Sequence, residues 1–179
     1  MIKKNLFTSS MAVMAVVATS AVVYAHAVVN ESELPAGTLQ FITVRITHGC
    51  GALPVKQVRV AIPEGVIRVS PRYTPGWEVT KKMRKLDKPF AGEGGQMIME
   101  TVSELTWTGG PLPDGYYGEF QIRAMLPNEP GRTLYFKTIQ TCEKGEIRWI
   151  EEPKAGQDPM SLKEPSPFVK LVAAPPGKK

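Results

Sequence analysis

The chain has 179 residues, 42% hydrophobic and 22% charged, with 22 lysines and arginines against 17 aspartates and glutamates. This size and mixture suit one globular domain with tails and exclude wholesale disorder, because three Trp, six Phe and five Tyr can furnish a core. The formal charge of +5 gathers at the two ends and leaves residues 26 to 152 with 15 basic and 15 acidic side chains, which argues against a nucleic-acid partner.

Residues 1 to 25 read as a secretory leader: Lys3 and Lys4, an apolar run from Met11 to Val23, then small residues around Val23-Tyr24-Ala25 where a signal peptidase would cut. The run is shorter than the roughly 18 residues a membrane-spanning helix needs, and no later segment could span a bilayer. The expected location is therefore periplasmic or secreted, with no stable membrane span after cleavage. Cutting after Ala25 makes His26 the first residue of the exported chain.

Beyond the leader, short runs rich in β-branched and aromatic residues follow one another. They are Gln40 to Thr47, Gln57 to Ile62, Val66 to Ser70, Trp77 to Lys82, Met97 to Thr106, Tyr117 to Leu126, Thr133 to Gln140 and Glu146 to Ile150. Turn signals separate them, among them Pro63-Glu64-Gly65, Thr74-Pro75-Gly76, Pro113-Asp114-Gly115 and Pro130-Gly131. No helical apolar stripe of useful length occurs. The pattern predicts an all-β fold over residues 26 to 152, an antiparallel β-sandwich of immunoglobulin-like or cupredoxin-like topology. Alternation places Val58, Val60 and Ile62 inward and Gln57, Arg59 and Ala61 outward. Lys81 to Lys85 read as a solvated strand end entering a flexible loop through Gly92 to Gly95. Met97 and Met99 share one strand face and read as core filler, although thioethers can also ligate Cu(I). Residues 153 to 179 hold six of the 16 prolines and five lysines and read as an extended, flexible tail.

Cys50 and Cys142 are the two cysteines of the chain, and export to an oxidising compartment predicts that they pair as one disulfide. Without a CxxC spacing they make a poor metal or redox site. With two histidines and no free thiol, Ser-His-Asp and Cys-His catalysis lack members, so the chain is not expected to be an enzyme.

The chemistry that remains centres on His26. A terminal amine and the Nδ1 of the same residue close a six-membered chelate ring, two nitrogen donors that suit tetragonal Cu(II) better than tetrahedral Zn. His48, at the end of a predicted strand, reads as a loop histidine. If it joined His26, the pair would form a two-histidine brace like that of copper-dependent polysaccharide monooxygenases, which is the enzymatic alternative.

Several motifs occur in order: Ala25-His26-Ala27-Val28-Val29, His48-Gly49-Cys50-Gly51, Val60-Ala61-Ile62-Pro63-Glu64-Gly65-Val66, Pro75-Gly76-Trp77, Leu105-Thr106-Trp107-Thr108-Gly109-Gly110, Glu119-Phe120, and Gln140-Thr141-Cys142-Glu143-Lys144-Gly145 with Trp149. Together they resemble the YcnI-like copper-binding domain family over residues 26 to about 152. The resemblance implies a periplasmic or secreted β-sandwich that binds one Cu(II) through a single-histidine brace and serves copper trafficking or tolerance. It carries the brace to His26, a glutamate ligand to Glu119, and a nearby tryptophan to Trp149; Glu143 and Glu151 stand as alternates for the glutamate, and His48 as an alternate metal ligand. Alternation with inward Phe120 and Ile122 turns Glu119 to the opposite face or the sheet rim. Some family members continue into a membrane-spanning C-terminus, whereas this chain ends at Lys178-Lys179. The expected partners are the copper ion and an envelope copper-transport protein acting as donor or acceptor. A third reading is an envelope interaction module that binds no metal.

Overall fold

In the computed structural model, residues 26–176 are described. The leader expected over 1 to 25 and the terminal Lys178-Lys179 pair lie outside them. Twelve strands run in chain order: β1 (Val28–Val29), β2 (Glu33–Pro35), β3 (Leu39–Ile46), β4 (Val55–Ala61), β5 (Ile67–Pro71), β6 (Trp77–Ala91), β7 (Met97–Leu112), β8 (Gly118–Met125), β9 (Thr133–Tyr135), β10 (Thr138–Cys142), β11 (Glu146–Trp149) and β12 (Phe168–Val172). Among the described residues there is no α-helix, and none long and apolar enough to cross a membrane.

The strands form two principal sheets, β1-β3-β8-β5 and β11-β10-β4-β7-β6, and a smaller one, β2-β12-β9. The pairings are antiparallel except for β2 with β12, which is parallel. Between the principal sheets, alternate residues interleave: Ile42, Val44 and Ile46 of β3, Val58 and Val60 of β4, Leu105 and Trp107 of β7, and Phe120 and Ile122 of β8 are all buried. Trp107 of one sheet meets Phe120 of the other edge-on at 5.4 Å, and Trp77 meets the same ring at 5.1 Å. The all-β sandwich and the inward set Val58, Val60 and Ile62 are as the two-residue period requires.

Four expectations are corrected. The basic run from Lys81 does not end a strand; β6 continues to Ala91 and pairs with β7 as a long hairpin arm, closed by a 3-10 turn over Glu93–Gly95. A ribbon wet on both faces needs no apolar alternation, so the usual strand signal is missing there. Met97 and Met99 lie on this arm, 56% and 57% exposed, and are not core filler. The stretch from Thr133 to Gln140 is two strands: the chain leaves β9 at Phe136, whose N–H donates to Pro167 O, and enters another sheet as β10.

The fourth correction concerns the C-terminal stretch, which is not an extended tail from residue 153. Phe168–Val172 pairs with β9 on one side and β2 on the other, and Val169 and Leu171 are fully buried. Proline and lysine bias hid a five-residue alternation in which Leu171 pairs beside Leu34 and Val169 beside Leu134, all four buried.

Candidate functional site

The N-terminal histidine enters the fold because β1 pairs antiparallel with the last residues of β3, Val28 opposite Arg45 and Val29 opposite Val44. That register brings His26 alongside the segment that follows β3, where Thr47 Oγ1 donates to His26 O at 3.3 Å. His26 is 6% exposed and its ring stands edge-on to the Trp149 indole, with centroids 5.8 Å apart. His48 approaches the same indole edge-on at 6.1 Å. Two imidazoles from segments 22 positions apart thus flank one tryptophan.

The backbone around His48 is pinned from three directions. Gln140, fully buried on the inward face of β10, donates from Nε2 to His48 O at 2.7 Å and accepts from Trp149 Nε1 at 3.1 Å. Asp114 Oδ1 accepts from Gly49 N at 3.1 Å. Cys50 is bonded to Cys142, two residues beyond Gln140 on the same inward face. The predicted disulfide is therefore present, and it staples the loop to β10. Position 49 admits only glycine, since a Cβ there would lie 2.2 Å from the Leu53 carbonyl oxygen.

His48 Nδ1 faces Gly49 O. A carbonyl only accepts, so in the neutral ring Nδ1 is the nitrogen that carries the proton and Nε2 the one that keeps the lone pair a metal needs. Burial pushes the His26 imidazole below its ordinary pKa, and the neighbouring His48 pushes it the same way. A ring held neutral at physiological pH is ready to ligate.

The carboxylates fall elsewhere. Glu119 is exposed, turned away from buried Phe120 and Ile122, with Oε1 3.8 Å from Arg45 Nε across the strand pair. Arg45 also lies over the Tyr117 ring at 5.7 Å. Glu143 is exposed beside the disulfide, at the turn between β10 and β11. Glu151 Oε2 accepts from Glu164 N at 2.9 Å and thereby fastens the C-terminal segment to the end of β11. Among the described residues, no three His, Cys, Asp or Glu side chains gather closely enough to hold a metal ion. The nitrogen donors that stand near Trp149 are the two imidazoles, with no carboxylate grouped with them; a chain cut after Ala25 would add the His26 amine, a set that would suit Cu(II).

Two contributors went unseen in the sequence. Gln140 left a trace, a polar residue at an inward strand position between Thr138 and Cys142. Asp114 left none beyond its turn, because its partner Gly49 is 65 positions away.

Residues 26–171 match the family described as "Domain of unknown function (DUF1775)". The chain belongs to this DUF1775 family. The match runs through most of β12, so the DUF1775 unit includes the strand that the composition-based boundary at residue 152 would have cut away. The chain is also similar to an uncharacterized protein from Nocardia farcinica whose crystal structure reveals an immunoglobulin-like fold. The identity is 19% and the TM-score 0.63, over 83% of this chain and 99% of that one. At that identity the likeness concerns the fold. None of the curated proteins compared with the chain matches it.

Proposed function

We propose that this DUF1775 protein is an exported, non-enzymatic copper carrier that takes Cu(II) at His26 and passes it to an envelope partner, as the resemblance to YcnI-like copper-binding domains implies. The observation that supports this reading best is the meeting of the His26 and His48 rings on Trp149. Removal of the leader after Ala25 frees the His26 amine. The amine and ring then chelate together, and His48 Nε2 is better placed than Glu119, which Arg45 engages on the outer face, to supply a further donor. The buried indole shields this end from water. Nitrogen donors must be deprotonated to bind, so uptake releases protons and weakens as pH falls below about 6. A site assembled from single residues of separate segments can give its cargo up, which fits a carrier.

The deciding experiment is a Cu(II) titration of processed protein beginning at His26 beside a form with one alanine ahead of it. One ion per chain and an affinity loss of at least about 100-fold in the extended form are expected, the loss corresponding to roughly 2.7 kcal/mol. Equal affinities would remove the terminal brace. The convergence of both histidines also favours a second reading, copper-dependent oxidation through a two-histidine brace. Sustained oxygen consumption with ascorbate, abolished by His48→Ala, would replace the carrier with an enzyme.

A further inference from the structure

His26 belongs to two unlike surroundings. Besides the Trp149 and His48 rings, it borders a cleft of about 180 Å3 walled by Val28, Pro165, Pro167, Phe168 and Met160. Ser32 and Ser166 are the polar side chains of the lining apart from His26, and no carboxylate reaches it. Such a wall penalises a doubly charged ion more than a singly charged one, because desolvation grows steeply with charge. It also presents a soft sulfur donor, the kind Cu(I) prefers.

Met160 is carried by a built turn. It occupies a 3-10 segment, Pro159–Ser161, where its N–H donates to Asp158 Oδ1 at 2.9 Å and Ser161 Oγ donates to Asp158 O at 2.7 Å. Gln157 Nε2 donates to Ser161 Oγ at 3.3 Å. The thioether itself is not used in the core, being 63% exposed. Its three rotatable bonds leave the exposed side chain adaptable to a ligand. We propose that Met160 is a thioether ligand through which the His26 site holds Cu(I), alongside the nitrogen donors that hold Cu(II). This inference rests on the copper reading above and adds a second oxidation state to it.

The test uses processed protein and its Met160→Leu variant, which preserves bulk and apolarity. Each is titrated with Cu(II), and separately with Cu(I) supplied anaerobically in competition with bathocuproine disulfonate. X-ray absorption of the Cu(I) form reads the ligand atoms. The expected result is a sulfur scatterer in the parent that disappears in Met160→Leu, with at least about tenfold weaker Cu(I) binding, roughly 1.4 kcal/mol. Cu(II) affinity should be unchanged in the same variant. Unchanged Cu(I) affinity overturns the inference while leaving the Cu(II) site standing. Equal loss of both oxidation states makes Met160 merely structural and also overturns it. A double Met97→Leu, Met99→Leu variant serves as control, and loss of the sulfur signal there instead would move Cu(I) to the hairpin arm. A parent that binds neither ion ends both readings.

Discussion

Trp149 Nε1 donates to Gln140 Oε1 at 3.1 Å, and both side chains are buried. Since Gln140 spends its amide donor on His48 O, one glutamine couples the indole to the backbone that carries the second imidazole. Trp149→Phe keeps an aromatic wall but leaves Gln140 Oε1 buried without its donor. The expected destabilisation is about 1 to 3 kcal/mol, read from urea unfolding. The Cu(II) paramagnetic resonance spectrum should change with it, because Gln140, which also holds His48 O, loses the donor that orients its amide.

The His26 ring gives stability a predictable pH dependence. Its pKa is lowered in the fold by burial and by His48, so between the unfolded value of 6.5 and the lower folded value the unfolded chain binds more protons. Stability is therefore full above 6.5, declines as pH falls through it, and levels off once the folded ring is protonated as well. His26→Ala should flatten this part of the curve. Urea midpoints measured from about pH 7.5 to about pH 5, without metal, provide the check.

Removing the disulfide should be expensive in the unfolded state's currency of chain entropy. Cys50 and Cys142 are 92 positions apart, and opening a loop of that length is expected to destabilise by about 4 to 5 kcal/mol. The paired variant Cys50→Ser, Cys142→Ser, compared with the parent by urea unfolding, reads this directly. Cu(II) affinity should fall too, since His48 stands two residues from the bridge.

A chain ending after Glu152 should fail to fold cooperatively. It loses β12, whose Val169 and Leu171 are buried, and burying two such side chains contributes roughly 3 to 6 kcal/mol. Leu34 and Leu134 would lose their strand partners as well. Thermal unfolding followed by circular dichroism should show a sharp transition for residues 26 to 176 and a broad or absent one for 26 to 152.

The readable parts of this molecule share a property. Val58, Val60 and Ile62 could be placed inward because strand alternation is written in consecutive residues, and the burial of all three follows that period. The long β6–β7 arm and β12 were not readable in the same way. In the arm, Lys81, Lys82 and Lys85 face solvent in a paired ribbon and half-buried Arg84 donates to Ile62 O and Pro63 O, so no hydrophobic signal marks the strand. In β12, apolar residues alternate among prolines and lysines whose composition alone resembles a tail. Candidate site residues divide likewise: Trp149 is buried beside His26, while Glu119 sits on the outer face that its alternation with Phe120 requires.

By itself, the sequence determined the period-two pattern, the single cysteine pair available for bridging, and the position of His26 directly after a leader-like segment. Only the tertiary structure decided that His48 would stand with His26 against Trp149, that Gln140 would tie His48 to Trp149, and that Met160 would line the same cleft as His26. The reason is separation along the chain. Alternation is a property of neighbours, whereas His26, His48, Gln140 and Trp149 meet through strand pairings between distant segments, whose register is set by burying whole faces.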